Sequence, residues 1–137
     1  MGADGTPTKR IDRDAENAVL ETLHASGLSY RVLSEEIGEV MIAGKSGRDE
    51  AEAGAKDHSG DGADYFLHLD PLDGTFNAVH GIPFYSVSIY LSGQDTSLAY
   101  IRDLASGSRY YAEAGRGAYT GQGVRMAVST GRDLSAF

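Results

Sequence analysis

The sequence predicts an α+β domain, a helix layer packed on a largely antiparallel sheet. Three observations predict it. Apolar residues recur at helical spacing early in the chain, at Ile11, Ala15, Ala18, Val19 and Leu23. From Tyr85 onward, short β-prone segments alternate with glycine-centred turns. Between these regions, Tyr65–Leu69 is apolar on both parities, as expected of a strand buried on both faces. One helix followed by a strand meander gives an α+β layer.

The elements follow in order. Residues 1–8 are punctuated by Gly and Pro and read as a loop. A helix starts at Ile11 and stops at Gly27. Tyr30–Leu33 is β-prone and leads into Ser34-Glu35-Glu36, and Val40–Ala43 reads as a second short strand. Residues 44–63 are polar and aperiodic and read as a mobile surface loop, either a solvated tip or a cover over the site. After Tyr65–Leu69, the strand is expected to end at Asp70 and a short helix to occupy Phe76–Val79, broken by Pro83. Strands follow at Tyr85–Leu91, Ser97–Ile101, Arg109–Ala112, Ala118–Thr120 and Val124–Val128. Glycines at 93, 107, 115 and 117 mark the turns between them.

The chain has 137 residues, enough for one domain, and 41% of them are hydrophobic, enough for a packed core. Its net charge of −8 argues against nucleic acid or an anionic membrane as a partner reached by bulk electrostatics. An acidic protein can still take phosphates where metal ions supply the positive charge. There is no cysteine, so disulfides and thiolate metal sites are excluded. No apolar run is long enough to span a bilayer, and the start lacks the features of a signal peptide, so a cytoplasmic location is the expectation.

The densest chemistry lies in Asp70-Pro71-Leu72-Asp73-Gly74-Thr75. Mg²⁺ takes hard oxygen ligands, usually one or two carboxylates with water and substrate phosphate. A turn between Asp70 and Asp73 would bring both carboxylates to one point, with the Leu72 carbonyl left unpaired as a third oxygen. Gly74 allows close backbone approach, and the Gly74 and Thr75 amides at a helix start would face an anion. Carboxylates beside a buried strand are costly unless neutralised, and a metal neutralises them. The acidic pair Glu35-Glu36 ends another β-prone segment and is either a solvated surface turn or, given its strand-end placement, part of the same metal group. The chemistry expected is two-metal hydrolysis with water as nucleophile. Thr75 is suited to orient that water, since its hydroxyl both donates and accepts. Asp12 is either a first-turn acid that favours the helix dipole or a hydrogen-bond partner for Thr75. Covalent attack by an aspartate two residues before the Asp of Asp-Gly-Thr is excluded, because Pro71 stands there. The histidines at 24, 58, 68 and 80 lack metal-ligand spacing, and His68 is expected to be a core residue or to support the site from behind. Tyr110 and Tyr111 read as sheet packing.

Taken together, these residues resemble the inositol monophosphatase superfamily, which includes archaeal-type fructose-1,6-bisphosphatases. Asp70–Thr75 stands at its Asp-Pro-Ile/Leu-Asp-Gly-Thr motif, and Ser34-Glu35-Glu36 at its Glu-Glu. Asp12 with Glu16 matches the helix that supplies the Thr-bonded aspartate. Gly81-Ile82-Pro83, Val87-Ser88-Ile89, Gly115-Arg116-Gly117-Ala118 and Val128-Ser129 match downstream segments. The resemblance implies the N-terminal half of an α/β/α/β/α sugar-phosphatase fold, covering residues 1–137. It implies a phosphomonoesterase acting on inositol monophosphate, fructose-1,6-bisphosphate, NADP or 3′-phosphoadenosine-5′-phosphate. The expected cofactor is Mg²⁺, as two or three ions, with Mn²⁺ as a substitute. Glu36, Asp70, Asp73 and the Leu72 carbonyl would be metal ligands. Thr75, Asp12 and Glu36 would be catalytic, and Gly74 and Thr75 would bind substrate. The family's Trp-Asp-x-Ala-Ala-Gly-like motif, whose Asp completes the metal site, does not occur in this sequence. A homodimer is implied for the longer protein.

Overall fold

The computed structural model describes residues 10–44 and 63–131. Helix α1 (Arg10–Ser26) forms where the periodicity places it and ends at Gly27, which takes the left-handed φ of 75°. Its inward face changes character along its length. Val19, Leu20 and Leu23 pack on the core, while the two fully buried residues are the acids Asp12 and Glu16.

Strands β1 (Tyr30–Ser34) and β2 (Gly38–Ile42) form an antiparallel hairpin around Glu35–Ile37. Strand β3 (Tyr65–Asp73) pairs parallel to β1, with Ser34 opposite Leu69. Helix α2 (Thr75–Val79) leads to the antiparallel meander β4 (Ser86–Ser92), β5 (Ser97–Asp103), β6 (Arg109–Glu113) and β7 (Gly117–Thr120). The seven strands form one sheet in the order β2-β1-β3-β4-β5-β6-β7. The α+β reading therefore holds, with one parallel pair in an otherwise antiparallel sheet.

The core lies under α1 and consists of Tyr30, Val32, Ile42, Leu67 and Leu69, flanked by Val87, Ile89 and Leu91. Strand parity explains the selection. Alternate residues of β1 and β3 face the helix, and their neighbours face away. This corrects the expectation that Tyr65–Leu69 is buried on both faces. Leu67 and Leu69 are buried but His68 is exposed, because no helix covers the second face of the sheet among the described residues. His68 is thus neither core nor support behind the site. Its ring meets the Phe66 ring edge-on at 4.6 Å and lies 6.0 Å from that of Tyr90.

Two further expectations change. Strand β3 does not stop at Asp70 but runs to Asp73 through a bulge, where its pairing with β4 shifts register. Pro71 sits inside that bulge, where its missing N–H breaks no ladder. Val124–Val128 is not a strand. Only a single bridge forms, Tyr119 to Arg125, and Val124 and Val128 are exposed.

The expected loop at 44–63 lies, apart from its ends, outside the described residues. Those ends are fixed. The Ser29 hydroxyl donates to Asp64 Oδ2 at 2.5 Å, the Asp64 and Tyr65 amides donate to the Ser29 carbonyl, and Gly44 packs against the Gly27 carbonyl. Both ends sit where β1 and β3 begin, opposite the strand ends that carry Glu35 and Asp70. Among the described residues, no helix is long and apolar enough to cross a membrane.

Candidate metal and phosphate site

The β1–β3 register builds the site. Ser34 pairs with Leu69, and the Glu35 amide donates to the Leu69 carbonyl at 3.1 Å. Glu35 and Asp70 therefore emerge side by side just past the last parallel pair of β1 and β3, near the position where α/β sheets commonly place ligands. The two carboxyl groups are close enough for each other's charge to be felt. Burial pushes the Asp70 carboxyl up from the ordinary 3.8 to about 6, the Glu35 charge and hydrogen bond add to this, and Asp73 contributes further. The Leu72 amide, donating to Asp70 Oδ1 at 3.1 Å, works the other way. Burial and the neighbouring acids thus make the Asp70 carboxylate costly to ionise without a counter-charge.

The first residue of the acidic pair, Glu35, thus meets Asp70, whereas the sequence reading assigned the ligand role to Glu36. Glu36 is half-buried, and its Oε2 has no hydrogen-bond partner. A buried carboxylate oxygen without a donor is satisfied by a cation, a proton or a bound water.

Behind the pair stands Glu16, 1% exposed. Its Oε1 accepts from the Ser34 hydroxyl and from the Ile37 amide at 3.2 Å, so one carboxylate pins both ends of the turn that presents Glu35 and Glu36. The sequence reading noted Glu16 only through the family resemblance. Its available signal was the spacing of four from Asp12, which places both acids on one helix face.

The second half of the site follows the bulge. The Thr75 hydroxyl donates to Asp12 Oδ1 at 2.7 Å, across 63 residues of sequence, and lies 3.1 Å from the Leu72 carbonyl. Asp12 is 4% exposed. The one Thr75 proton can serve only one of these acceptors and the shorter contact is to Asp12, so the Leu72 carbonyl keeps lone pairs for another partner. Gly74 holds φ at 90° as the residue before α2, and a Cβ there would sit 2.9 Å from the Phe84 carbonyl. Backbone conformation and close approach both require glycine. Asn77 clips the following loop by donating to that same carbonyl at 2.7 Å.

An open cleft of about 340 Å³ lies against Glu35 and Asp70 and extends over His68 and Ser88 to Tyr90. Among the described residues, no three His, Asp or Glu side chains form a ready-made ion cage. The donor chemistry nonetheless fits a hard divalent cation, since it is all oxygen, with a bare Glu36 Oε2 and an Asp70–Glu35 pair whose charges repel.

Comparison with known proteins defines the class. The sequence profile of the inositol monophosphatase family matches residues 2–136, and the chain belongs to that family. It is 42% identical, over 98% of its length, to a fructose-1,6-bisphosphatase/inositol-1-monophosphatase of Archaeoglobus fulgidus, covering 45% of that protein. It is 33% identical, again over 98% of its length, to a bifunctional NADP phosphatase/NAD kinase of Methanococcus maripaludis, covering 24% of it. Among solved structures, a Pyrococcus horikoshii protein described as similar to inositol-1 monophosphatase superposes with a TM-score of 0.67 at 29% identity, over 92% of this chain and 42% of that one. The chain thus spans less than half the length of these relatives.

Proposed function

We propose that the chain carries the metal-binding half of a Mg²⁺-dependent phosphomonoesterase acting on inositol monophosphate or fructose-1,6-bisphosphate. The observation that carries this reading is the crowding of Glu35 against Asp70 where the β1–β3 pairing ends, beside Asp73 and the Thr75–Asp12 hydrogen bond. Glu35, Asp70, Asp73 and a lone pair of the Leu72 carbonyl would hold the ions. When bound, a divalent cation supplies Lewis acidity toward the phosphate and lowers the pKa of water.

The remaining roles belong to the chain itself. The single Thr75 O–H is committed to Asp12, so the hydroxyl oxygen faces the site as an acceptor. A water held there directs one O–H at Thr75 and turns a lone pair toward the phosphorus. Asp12 fixes the Thr75 rotamer and favours movement of positive charge toward it as the water loses its proton. The Gly74 and Thr75 amides are the candidate donors to the phosphate. A homodimer and a cytoplasmic location belong to the same proposal.

The similarity to an archaeal NADP phosphatase/NAD kinase favours NADP as a second substrate to test. A third reading is a metal-binding module without turnover, supported by the short coverage of the relatives and by the absence of the Trp-Asp-x-Ala-Ala-Gly-like motif.

The test is phosphate release by the purified chain from inositol-1-phosphate, fructose-1,6-bisphosphate and NADP, with and without Mg²⁺. Glu35→Gln and Asp73→Asn should abolish metal-dependent release. Thr75→Val should reduce it by about 10–100-fold, as loss of a supporting hydrogen bond does elsewhere. Full activity in Asp73→Asn would refute the phosphatase site. Metal binding without release would favour the module reading.

A further inference from the structure

The first two turns of α1 carry a buried acid that the phosphatase reading leaves without a task. Asp12 serves Thr75. Glu16 is more deeply buried, at 1% exposure against 4%, yet its hydrogen bonds go to the Ser34 hydroxyl and the Ile37 amide and reach neither a proposed metal ligand nor Thr75. Burying a carboxylate is costly, so its place in the fold calls for a reason.

The spacing of four puts Asp12 and Glu16 on one face of α1, about 6 Å apart along its axis. Among the described residues, the apolar contacts of α1 with the core begin at Val19. The buried anchors of the first two turns are therefore carboxylates rather than packed apolar side chains. The two anchors reach opposite halves of the site. Glu16 grips residues 34 and 37, which flank Glu35 and Glu36, and Asp12 grips Thr75 beyond the bulge. The remaining links close a ring. Ser34 pairs with Leu69, the Glu35 amide bonds the Leu69 carbonyl, and the chain runs from Leu69 through Asp70 and Asp73 to Thr75. In a closed ring each link limits the freedom of the others.

We propose that Glu16 is a positioning residue that couples the two halves of the site. It holds the first turns of α1 at a fixed offset from the Glu35–Glu36 turn, and Asp12 thereby keeps Thr75 in place relative to the carboxylates. The coupling follows from the hydrogen bonds themselves, and its consequence for turnover rests on the phosphatase reading. The role demands an acceptor of the right reach. Aspartate keeps the charge but withdraws the oxygen by one methylene, more than a hydrogen bond tolerates. Glutamine keeps both reach and acceptor. Methionine keeps the approximate length and removes the acceptor.

The test is hydrogen exchange on the metal-free 137-residue chain, read at amides that Glu16 does not touch. These are Leu72, donating to Asp70 Oδ1 at 3.1 Å, and Ala78, donating to the Gly74 carbonyl at 3.0 Å. Glu16→Met should speed exchange most at Ile37, and by about tenfold at Leu72 and Ala78. The Asp103 amide, bonded to the Ser108 carbonyl in the β5–β6 turn, should not change. Glu16→Gln should match the parent, and Glu16→Asp should follow Glu16→Met despite keeping its charge. Mg²⁺ affinity, measured by calorimetry on the same variants, should fall about 10–100-fold in Glu16→Met and Glu16→Asp and stay within about threefold in Glu16→Gln. Faster exchange confined to residues 34–37 overturns the proposal, because Glu16 then holds only its own turn. Faster exchange at Asp103 as well overturns it in favour of a general loss of stability. Loss in Glu16→Gln without loss in Glu16→Asp assigns the effect to charge and also overturns it. If Glu16→Met fails to fold, Glu16→Asp decides at the same amides. A parent chain that binds no Mg²⁺ refutes the phosphatase reading, and the exchange result still decides the coupling.

Discussion

The half of the sheet under α1 and the β4–β7 meander are built from the same strand geometry but stabilised differently. Every fully buried residue described lies between Asp12 and Leu72, whereas no residue of β4, β5, β6 or β7 is fully buried. The first half is held by long-range pairing, β1 to β3 and α1 onto both. The second is held by consecutive hairpins whose turns are local. The difference shows why the carboxylates stand where they do. Only a rigid, buried framework can keep Asp12 and Glu16 out of water, and Asp70 half out of it, against their preference, and here it does so with hydrogen bonds from Thr75, Ser34, Ile37 and Leu72.

The contrast should be sharpest in core truncations. Leu67→Ala, at a site 2% exposed, should lower unfolding free energy by about 2–5 kcal/mol. Ile101→Ala, 44% exposed on β5, should change it by only about 0.5 kcal/mol. Urea denaturation of the two variants measures both, and equal losses would break the distinction between the halves.

Glu16→Ala comes next. It leaves the Ser34 hydroxyl and the Ile37 amide without their acceptor, at about 1–3 kcal/mol for each unsatisfied group. Hydrogen exchange should show the 34–37 turn opening first; uniform loss across the sheet would contradict the role given to Glu16.

A pair of glycines separates clash from conformation. Gly74→Ala combines a φ of 90° with a contact at 2.9 Å, and Gly107→Ala has a φ of 76° and open space around it. The second should cost about 1–2 kcal/mol and the first clearly more. Matching melting temperatures for the two variants would mean that the Phe84 contact is irrelevant.

The smallest effect concerns pH. The folded Asp70 carboxyl titrates near 6 and an unfolded one near 3.8. Below 3.8 the group is protonated in both states and has no effect on stability. As pH rises from 3.8 toward 6 the unfolded chain releases the proton more readily, so stability falls, and above about 6 the penalty is complete. Metal-free Asp70→Asn should therefore be more stable than the parent at neutral pH and show a flatter profile between these values. An unchanged profile would show that Asp70 is not held protonated by its neighbours.

These residues also show what the sequence made legible. The helix, the hairpins and the Asp70–Thr75 run could be read because each is a local pattern, set by periodicity, turn glycines or fixed spacing. The Asp12–Thr75 bond was within reach because both partners sit in such patterns. The choice between Glu35 and Glu36 was not legible. They are identical neighbours on one turn, and only the β1–β3 register, a long-range quantity, decides which of them meets Asp70. The function of Glu16 was hidden for a similar reason, since an acid on an amphipathic helix ordinarily faces water. Strand β3 ran past Asp70 because a bulge accommodates Pro71. Val124–Val128 failed as a strand because β7 is only four residues long and offers it a single bridge with two flanking hydrogen bonds, too few to extend a ladder.

The central claim is that Glu35 and Asp70 share a site which a divalent cation completes. Calorimetric titration of Mg²⁺ into the chain near pH 6, in two buffers of different ionisation enthalpy, tests it most directly. The account predicts binding with release of a proton, because Asp70, pushed up to about 6, must ionise to hold the ion, and loss of that binding in Glu35→Gln and in Asp70→Asn. Binding of equal strength in both variants, or binding without proton release, would contradict it.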